Sequence, residues 1–294
     1  MKIVGLMLVR NGEWCLGLSL RVALQWCDSV VVLDHASTDR TWEILGDVTR
    51  EGGAISYSYE PDPIWREMDY RQRLLNLGRE RGATHFAMID ADEAITANAV
   101  ASMRERVERL RPGQVGYVQT ISCWRNPWSH RKDWGKRPIS VAFADAPGLA
   151  WKPDDAGYQH HHREPYGSSQ PYVDLGVEDG GCFHLQWVNW RRLIWKQRLY
   201  IVKERLLYPS ITTKQINARY HHSTSEAGLV VEDVPASWWA YDGGLTRHLD
   251  LFSRGWQEDE TRRVAKLLGK DGLKDLNFWG LTAEELLSNN EEAS

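Results

Sequence analysis

The sequence predicts an α/β fold: a mixed, mainly parallel sheet with flanking helices, followed by a helical C-terminal extension. Three observations predict it. Strand and helix signals alternate over residues 1–93 in the order β-α-β-α-β-α-β, which builds a parallel sheet with helices on both faces. The stretch 84–93 reads as a short buried strand running straight into three acids, Asp90, Asp92 and Glu93. Such a change sets carboxylates at the mouth of a sheet, where open α/β folds keep their ligand crevice. Beyond Trp187 the pattern becomes helical.

The elements follow in order. Residues 2–9 are strand-like, and residues 13–26 are helix-like, with Leu16, Leu20, Ala23 and Leu24 at helical spacing. A β-branched run, 29–33, gives the second strand. Ser37, Thr38 and Asp39 can cap a helix over 41–50, which Gly52 and Gly53 stop. Residues 54–59 are the third strand. A long charged helix over 65–81 ends at Gly82, and the fourth strand spans 84–89. After Asp92 come a helix over 98–110 and a strand over 115–123.

Residues 125–172 are loop-rich, broken by Pro127, Pro138, Pro147, Pro153, Pro165 and Pro171, and hold Trp128, Trp134, Trp151 and the run His160 to His162. A loop this long inside a compact domain is usually functional. The histidine run itself reads as solvated loop. Residues 182–186 look like a last sheet strand. A helix over 190–207 carries a basic face at Arg191, Arg192, Lys196 and Arg198, a second spans 259–268, and the acidic end, 284–294, is expected to fray. The expected domains are 1–186, holding the ligand site with 125–172 as its acceptor side, and 187–294, a helical extension packed on it.

With a formal net charge of −4 and no strongly basic segment, nucleic acid is not an expected partner. Cys15, Cys27, Cys123 and Cys182 form no CxxC pair and read as reduced and buried, which suits a cytoplasmic protein. Residues 1–9 are apolar but too short for a signal peptide, and no run approaches the ~20 residues of a membrane span. The 15 tryptophans read mainly as core residues, although their faces also stack on sugar rings.

Polar residues recur at the carboxyl ends of the predicted strands: Val9, Arg10 and Asn11 after the first, Asp34 to Asp39 after the second, Asp90 and Asp92 after the fourth, and His184 after the last. Together they form a site signal that no single strand end gives. Two Asp separated by one residue can share a divalent metal and, through it, a diphosphate. Blander readings stand beside these. Asp90 and Asp92 can cap the following helix, Asp39 can be structural, and Arg71 can simply pair with Glu67, Asp69 or Asp92.

Three ordered motifs, Met7-Leu-Val-Arg-Asn-Gly-Glu13, Val30-Val-Val-Leu-Asp-His-Ala-Ser-Thr-Asp-Arg-Thr41 and Met88-Ile-Asp-Ala-Asp-Glu93, resemble the family 2 glycosyltransferases with the GT-A (Rossmann-like) fold. The resemblance covers residues 1–93 and extends more loosely to about residue 186. It implies a transferase moving a sugar from a nucleotide-diphosphate sugar donor to a hydroxyl-bearing acceptor (a saccharide, a lipid-linked or a natural product), with inversion. It implies that Val9, Arg10 and Asn11 lie against the nucleotide, that Asp34 hydrogen-bonds the nucleobase, and that Asp90 contacts ribose or a metal-bound water. Asp92 would ligate Mn²⁺ or Mg²⁺, His184 would complete that metal site with Asp90 alongside, and Arg71 would reach the nucleotide or the first Asp.

Inverting transfer needs a base for the acceptor hydroxyl, usually a carboxylate. Asp179, in Gly176-Val-Glu-Asp-Gly-Gly181, and Glu164, in His162-Arg-Glu-Pro165, are the candidates, with Asp179 preferred because it lies just upstream of His184. The chain departs from the family pattern in lacking a late base motif followed by a QxxRW-type segment. Two other functions remain: a phosphatase-like hydrolase, which would want its DxD after the first strand, and a non-catalytic carbohydrate-binding protein on the same scaffold.

Overall fold

The computed structural model describes residues 1–62, 64–153 and 162–288. In chain order the elements are β1 (Ile3–Val9), α1 (Leu16–Ala23), β2 (Ser29–His35), α2 (Thr41–Arg50), β3 (Ile55–Glu60), α3 (Glu67–Glu80), β4 (His85–Met88) and β5 (Glu93–Ile95). Then follow α4 (Ala97–Glu108), β6 (Gln114–Ser122), β7 (Ser129–Arg131), β8 (Pro138–Ala144), β9 (Ser169–Asp174) and β10 (Cys182–His184). The remainder comprises α5 (Trp190–Leu207), α6 (Thr213–His221), β11 (Val231–Asp233), α7 (Gln257–Leu273) and α8 (Ala283–Leu287).

The chain forms two compact units: residues 1–188 with 230–251, and residues 189–229 with 252–294. This differs from an unbroken extension starting at residue 187. Residues 230–251 belong to the first unit because β11 pairs antiparallel with β7, and Trp238, Trp239 and Tyr241 enter the first core. Trp239 stacks on Phe183 at 4.1 Å between ring centroids.

Among the described residues, nine strands make one mixed α/β sheet in the order β3-β2-β1-β4-β8-β6-β10-β5, with β9 also on β6. The first four run parallel, as the alternation of strand and helix requires. Side chains of β1 and β2 alternate between two apolar layers. Ile3, Met7, Val9, Val30 and Val32 pack with Leu16, Leu20 and Ala23 of α1 and with Leu45 and Val48 of α2. Val4, Leu6, Val31 and Leu33 pack with Met68, Leu74 and Leu75 of α3. Both sheet faces are therefore dry, and the strands read as near-continuous apolar runs.

β8 lies inside the stretch expected to be loop. It is antiparallel to both β4 and β6 and central in the sheet. Pro138 is its first residue, the place where a missing N–H is tolerated. The strand-like stretch 182–186 is shorter than expected: β10 ends at His184 and the chain turns into a 3₁₀ turn, Leu185–Trp187.

The second unit is helical. Its core joins Trp195, Leu199, Ile201 and Val202 of α5 to Ile216, Val264, Phe278 and Leu286. The expected basic face of α5 is not a solvated stripe. Arg192 and Arg198 are buried, and Arg198 donates to the carbonyls of Phe278 (Nε, 2.8 Å) and Trp279 (3.2 Å). Residues 283–287 form α8 behind a capping box of Thr282 and Glu285, rather than fraying, while residues 289–294 lie outside the described residues. No helix among the described residues is long and apolar enough to cross a membrane.

Candidate functional site

β1 and β4 are neighbours, with Leu6 in register with Met88, yet the chain leaves β1 toward β2 on the other side. This is a topological switch point, where the loops after the strands part and leave a crevice. Residues 10–13, 34–39 and 89–92 all leave the sheet at this edge.

The first two loops are stitched together. Asn11, in a left-handed conformation at φ 51°, donates its N–H to Ser37 Oγ (2.8 Å), and its Oδ1 accepts from Thr38 N (2.7 Å). Asn tolerates that conformation through its short polar side chain. Gly12 N donates to Thr41 Oγ1 (2.9 Å). Asp39 accepts from Glu13 N (3.0 Å), Thr41 N (2.9 Å) and Thr41 Oγ1 (2.5 Å), so it holds the loop and the start of α2. Val9 is packed in the core and offers a ligand only its backbone. Asn11 is buried with its oxygen engaged, so its side chain shapes the crevice floor.

Asp34 is fully buried. Its Oδ1 accepts from Ser37 Oγ, whereas by hydrogen-bond geometry Oδ2 has no partner. Burial raises its carboxyl above the ordinary carboxylate range, tempered by Ser37 and the Trp42 indole. Next to it, His35 Nε2 lies 2.7 Å from the Asp62 carbonyl, with its ring against Trp65 and Tyr70 at 5.2 and 5.1 Å. Burial and then Arg10 lower the His35 pKa, so this imidazole is neutral. Two tyrosines of β3, Tyr57 and Tyr59, meet Trp42 edge-on at 5.0 and 5.7 Å, and all three are partly exposed beside Asp34.

The acidic turn after β4 is held from both sides. Ala91 O accepts from Ser19 Oγ (2.6 Å) and Cys15 Sγ (3.0 Å) of the segment leading into and along α1. Arg71 donates to Glu67 (2.8 Å) and lies 3.4 Å from Asp90 Oδ1. Arg163 donates to Asp90 Oδ2 (3.0 Å) and to both oxygens of Glu93 (2.9 and 2.5 Å). Asp90 N donates to Glu93 Oε2 (3.1 Å). Burial alone would lower the Arg163 pKa, but Glu93 and Asp90 hold it above the ordinary value, so it stays charged. Burial and Asp90 push the Glu93 carboxyl up against the pull of Arg163.

Asp92 points elsewhere. Its Oδ2 lies 3.9 Å from His184 Nε2, and its carbonyl accepts from Leu185 N (2.9 Å). The pairing of Glu93 with His184 across β5 and β10 brings these two side chains together from a distance of 92 positions in sequence. Trp187 meets the His184 ring edge-on at 4.9 Å, and Trp134 meets Trp187 at 5.1 Å. Among the described residues, no group of three or more His, Cys, Asp or Glu side chains gathers into a metal-holding cluster.

The two base candidates part company. Glu164 is half-buried, and its Oε1 accepts from Ser140 Oγ of β8. The antiparallel register of β8 on β4, with Ala87 opposite Ala142, carries Ser140 to the edge where β4 ends. Asp179 sits at the other end of β10 from His184. Its carbonyl accepts from Asn98 Nδ2 (2.8 Å), its Oδ1 accepts from Trp238 Nε1 (3.2 Å), and Gly181 beside it is tied to Thr96. Asp179 precedes β10 while His184 ends it, and the contacts of Asp179 run to Asn98 and Trp238. His162 is exposed, with its ring 6.0 Å from Tyr166, and His160 and His161 lie outside the described residues.

Arg163, Ser140 and Trp187 enter the site through contacts that no motif marks. Ser37 and Glu93 stood within quoted motifs, and Glu93 is the buried partner of Arg163 rather than an exposed acid.

No protein-family model and no curated protein matches this chain. Among solved structures it is similar to S. aureus TarS 1–349, at 11% identity and TM-score 0.41, covering 94% of this chain and 81% of that one. It is also similar to a longer S. aureus TarS structure, at 13% identity and TM-score 0.37, covering 94% of this chain and 49% of that one. Similarity at this level does not speak to activity.

Proposed function

We propose that the protein is a glycosyltransferase that uses a divalent cation to move a sugar from a nucleotide-diphosphate sugar to an acceptor hydroxyl. The observation that carries this reading is the pairing, at one sheet edge, of the buried Asp34 carboxylate, with an oxygen left without a partner, and the half-buried Asp92 beside His184. An acceptor-only oxygen suits a nucleobase N–H, and the tyrosine and tryptophan faces beside it suit its ring.

The Asp92 carboxylate is the oxygen donor that Mn²⁺ or Mg²⁺ takes, so Asp92, with His184 beside it, would hold the cation. Asp90 does not fit as a direct ligand, because both its oxygens face guanidinium groups of Arg71 and Arg163. Its remaining role is toward the ribose or a cation-bound water. When bound, the cation neutralises charge developing on the departing diphosphate. Glu164, seated by Ser140, accepts the proton of the acceptor hydroxyl, and a single displacement with that base inverts the anomeric centre. Asp34 orients the nucleobase, and Arg71 holds Asp90 in place.

A thermal-shift screen of UDP, GDP and dTDP and their sugars, with and without Mn²⁺, tests this. A rise in melting temperature selective for one nucleotide and dependent on Mn²⁺ is expected. Sugar binding that ignores nucleotide and metal would instead identify a carbohydrate-binding protein.

A further inference from the structure

Building on the reading of Glu164 as the base, we propose that Arg163 is the positioning residue that locks Glu164 and the acidic turn 90–93 into one arrangement. The Arg163 guanidinium makes five hydrogen bonds with three parts of the sheet. It donates to Ser140 O on β8 (2.6 Å), to Met88 O at the end of β4 (2.7 Å), to Asp90 (3.0 Å) and to both oxygens of Glu93, where β5 begins (2.9 and 2.5 Å). The rigid fork of Arg fits this array of carboxylates and carbonyls, whereas a Lys ammonium has three donors on a flexible stem and cannot span it.

Ser140 works twice. Its carbonyl accepts from Arg163 and its hydroxyl donates to Glu164, the next residue along. The acid on the acceptor side is therefore anchored, through one side chain and one serine, to the turn that carries Asp90 and Asp92. Glu93 is almost fully buried, and burial of its charge is sustained by this bidentate contact. Arg71, by contrast, pairs with Glu67 and Asp90.

The test uses the full chain with Arg163→Lys, Arg163→Ala and Ser140→Ala. Amide hydrogen exchange is read in the peptides covering 88–96 and 164–170, with those covering β1 and β2 as controls. Release of nucleoside diphosphate from UDP-glucose, UDP-N-acetylglucosamine, GDP-mannose and dTDP-glucose is measured in parallel. In Arg163→Lys, exchange should rise together in both site peptides by about tenfold and stay unchanged in the controls. Its kcat should fall about 100-fold with KM for the nucleotide sugar held within about threefold. Added guanidinium ion should restore both readouts in Arg163→Ala. Should that variant fail to fold, Arg163→Lys and Ser140→Ala decide, the latter lowering kcat while leaving exchange in 88–96 unchanged. In Arg163→Lys, unchanged exchange in either site peptide, or kcat close to wild type, overturns the proposal. Release from none of the four donors by the wild type overturns it through the reading of Glu164, and altered exchange would then separate that failure from failure of the anchor.

Discussion

Replacing Asp34 with Asn should stabilise the protein and weaken nucleotide binding at the same time. Asp34 is fully buried, and burial of its charge outweighs the support it gets from Ser37 and the Trp42 indole. An unsatisfied buried polar group costs roughly 1–3 kcal/mol, more when charged. Asn keeps the acceptor for Ser37 and removes the charge, so a gain of about 1 kcal/mol at neutral pH is expected, or about 2–4 °C in Tm for a unit of roughly 200 residues.

The pH dependence carries the diagnostic sign. The folded-state pKa of Asp34 is raised, so the folded form binds more protons than the unfolded form above the unfolded value of about 3.9. Stability of the wild type therefore falls as pH rises from that value through the raised folded value. Asp34→Asn lacks this fall. Thermal denaturation of both proteins between about pH 4 and pH 7 should show a Tm advantage for the variant that grows with pH. The same variant should bind its nucleoside diphosphate more weakly by about 1.5–3 kcal/mol, roughly tenfold to a hundredfold in Kd. A variant less stable than wild type at pH 7 would show that Asp34 is a fold residue and not a held-back ligand group.

Four further outcomes follow from the geometry. Glu164→Gln should lower kcat by about 10²–10⁴ with donor affinity retained, while Asp179→Asn leaves kcat unchanged; steady-state kinetics with the donor found by the binding screen checks both. Gly181→Ala should destabilise by at least about 3 kcal/mol in denaturant titration, since a Cβ there would sit 2.1 Å from Gln119 O at a φ of 152°. Asp39→Ala should lose about 2–4 kcal/mol by the same assay, because Glu13 N, Thr41 N and Thr41 Oγ1 all lose their acceptor.

The parallel half of the sheet was legible because each of its strands is a contiguous apolar run bounded by a helix signal, and local periodicity suffices to place it. β8 was hidden by Pro138 and its proline-rich surroundings. Its alternation of Ile139, Val141 and Phe143 with Ser140, Ala142 and Ala144 was the signal present. β5 is three residues long, too short for any period, and exists only through its pairing with β10. Asp34, Asp90 and Asp92 could be placed at one edge because strand ends in a parallel sheet share it. Asp179 was preferred for its closeness in sequence to His184, and the strand β10 lies between the two. Arg163 could not be found at all. Its role comes from contacts 70 to 75 positions away, and an Arg beside a histidine run carries no mark of a buried ion pair.

Isothermal titration of UDP, GDP and dTDP into the wild type and Asp92→Ala, each with and without Mn²⁺, tests the account most directly. One nucleotide should bind the wild type with an affinity that Mn²⁺ raises, and Asp92→Ala should lose that gain by about tenfold or more. Equal affinity in both proteins, indifferent to Mn²⁺, would contradict it.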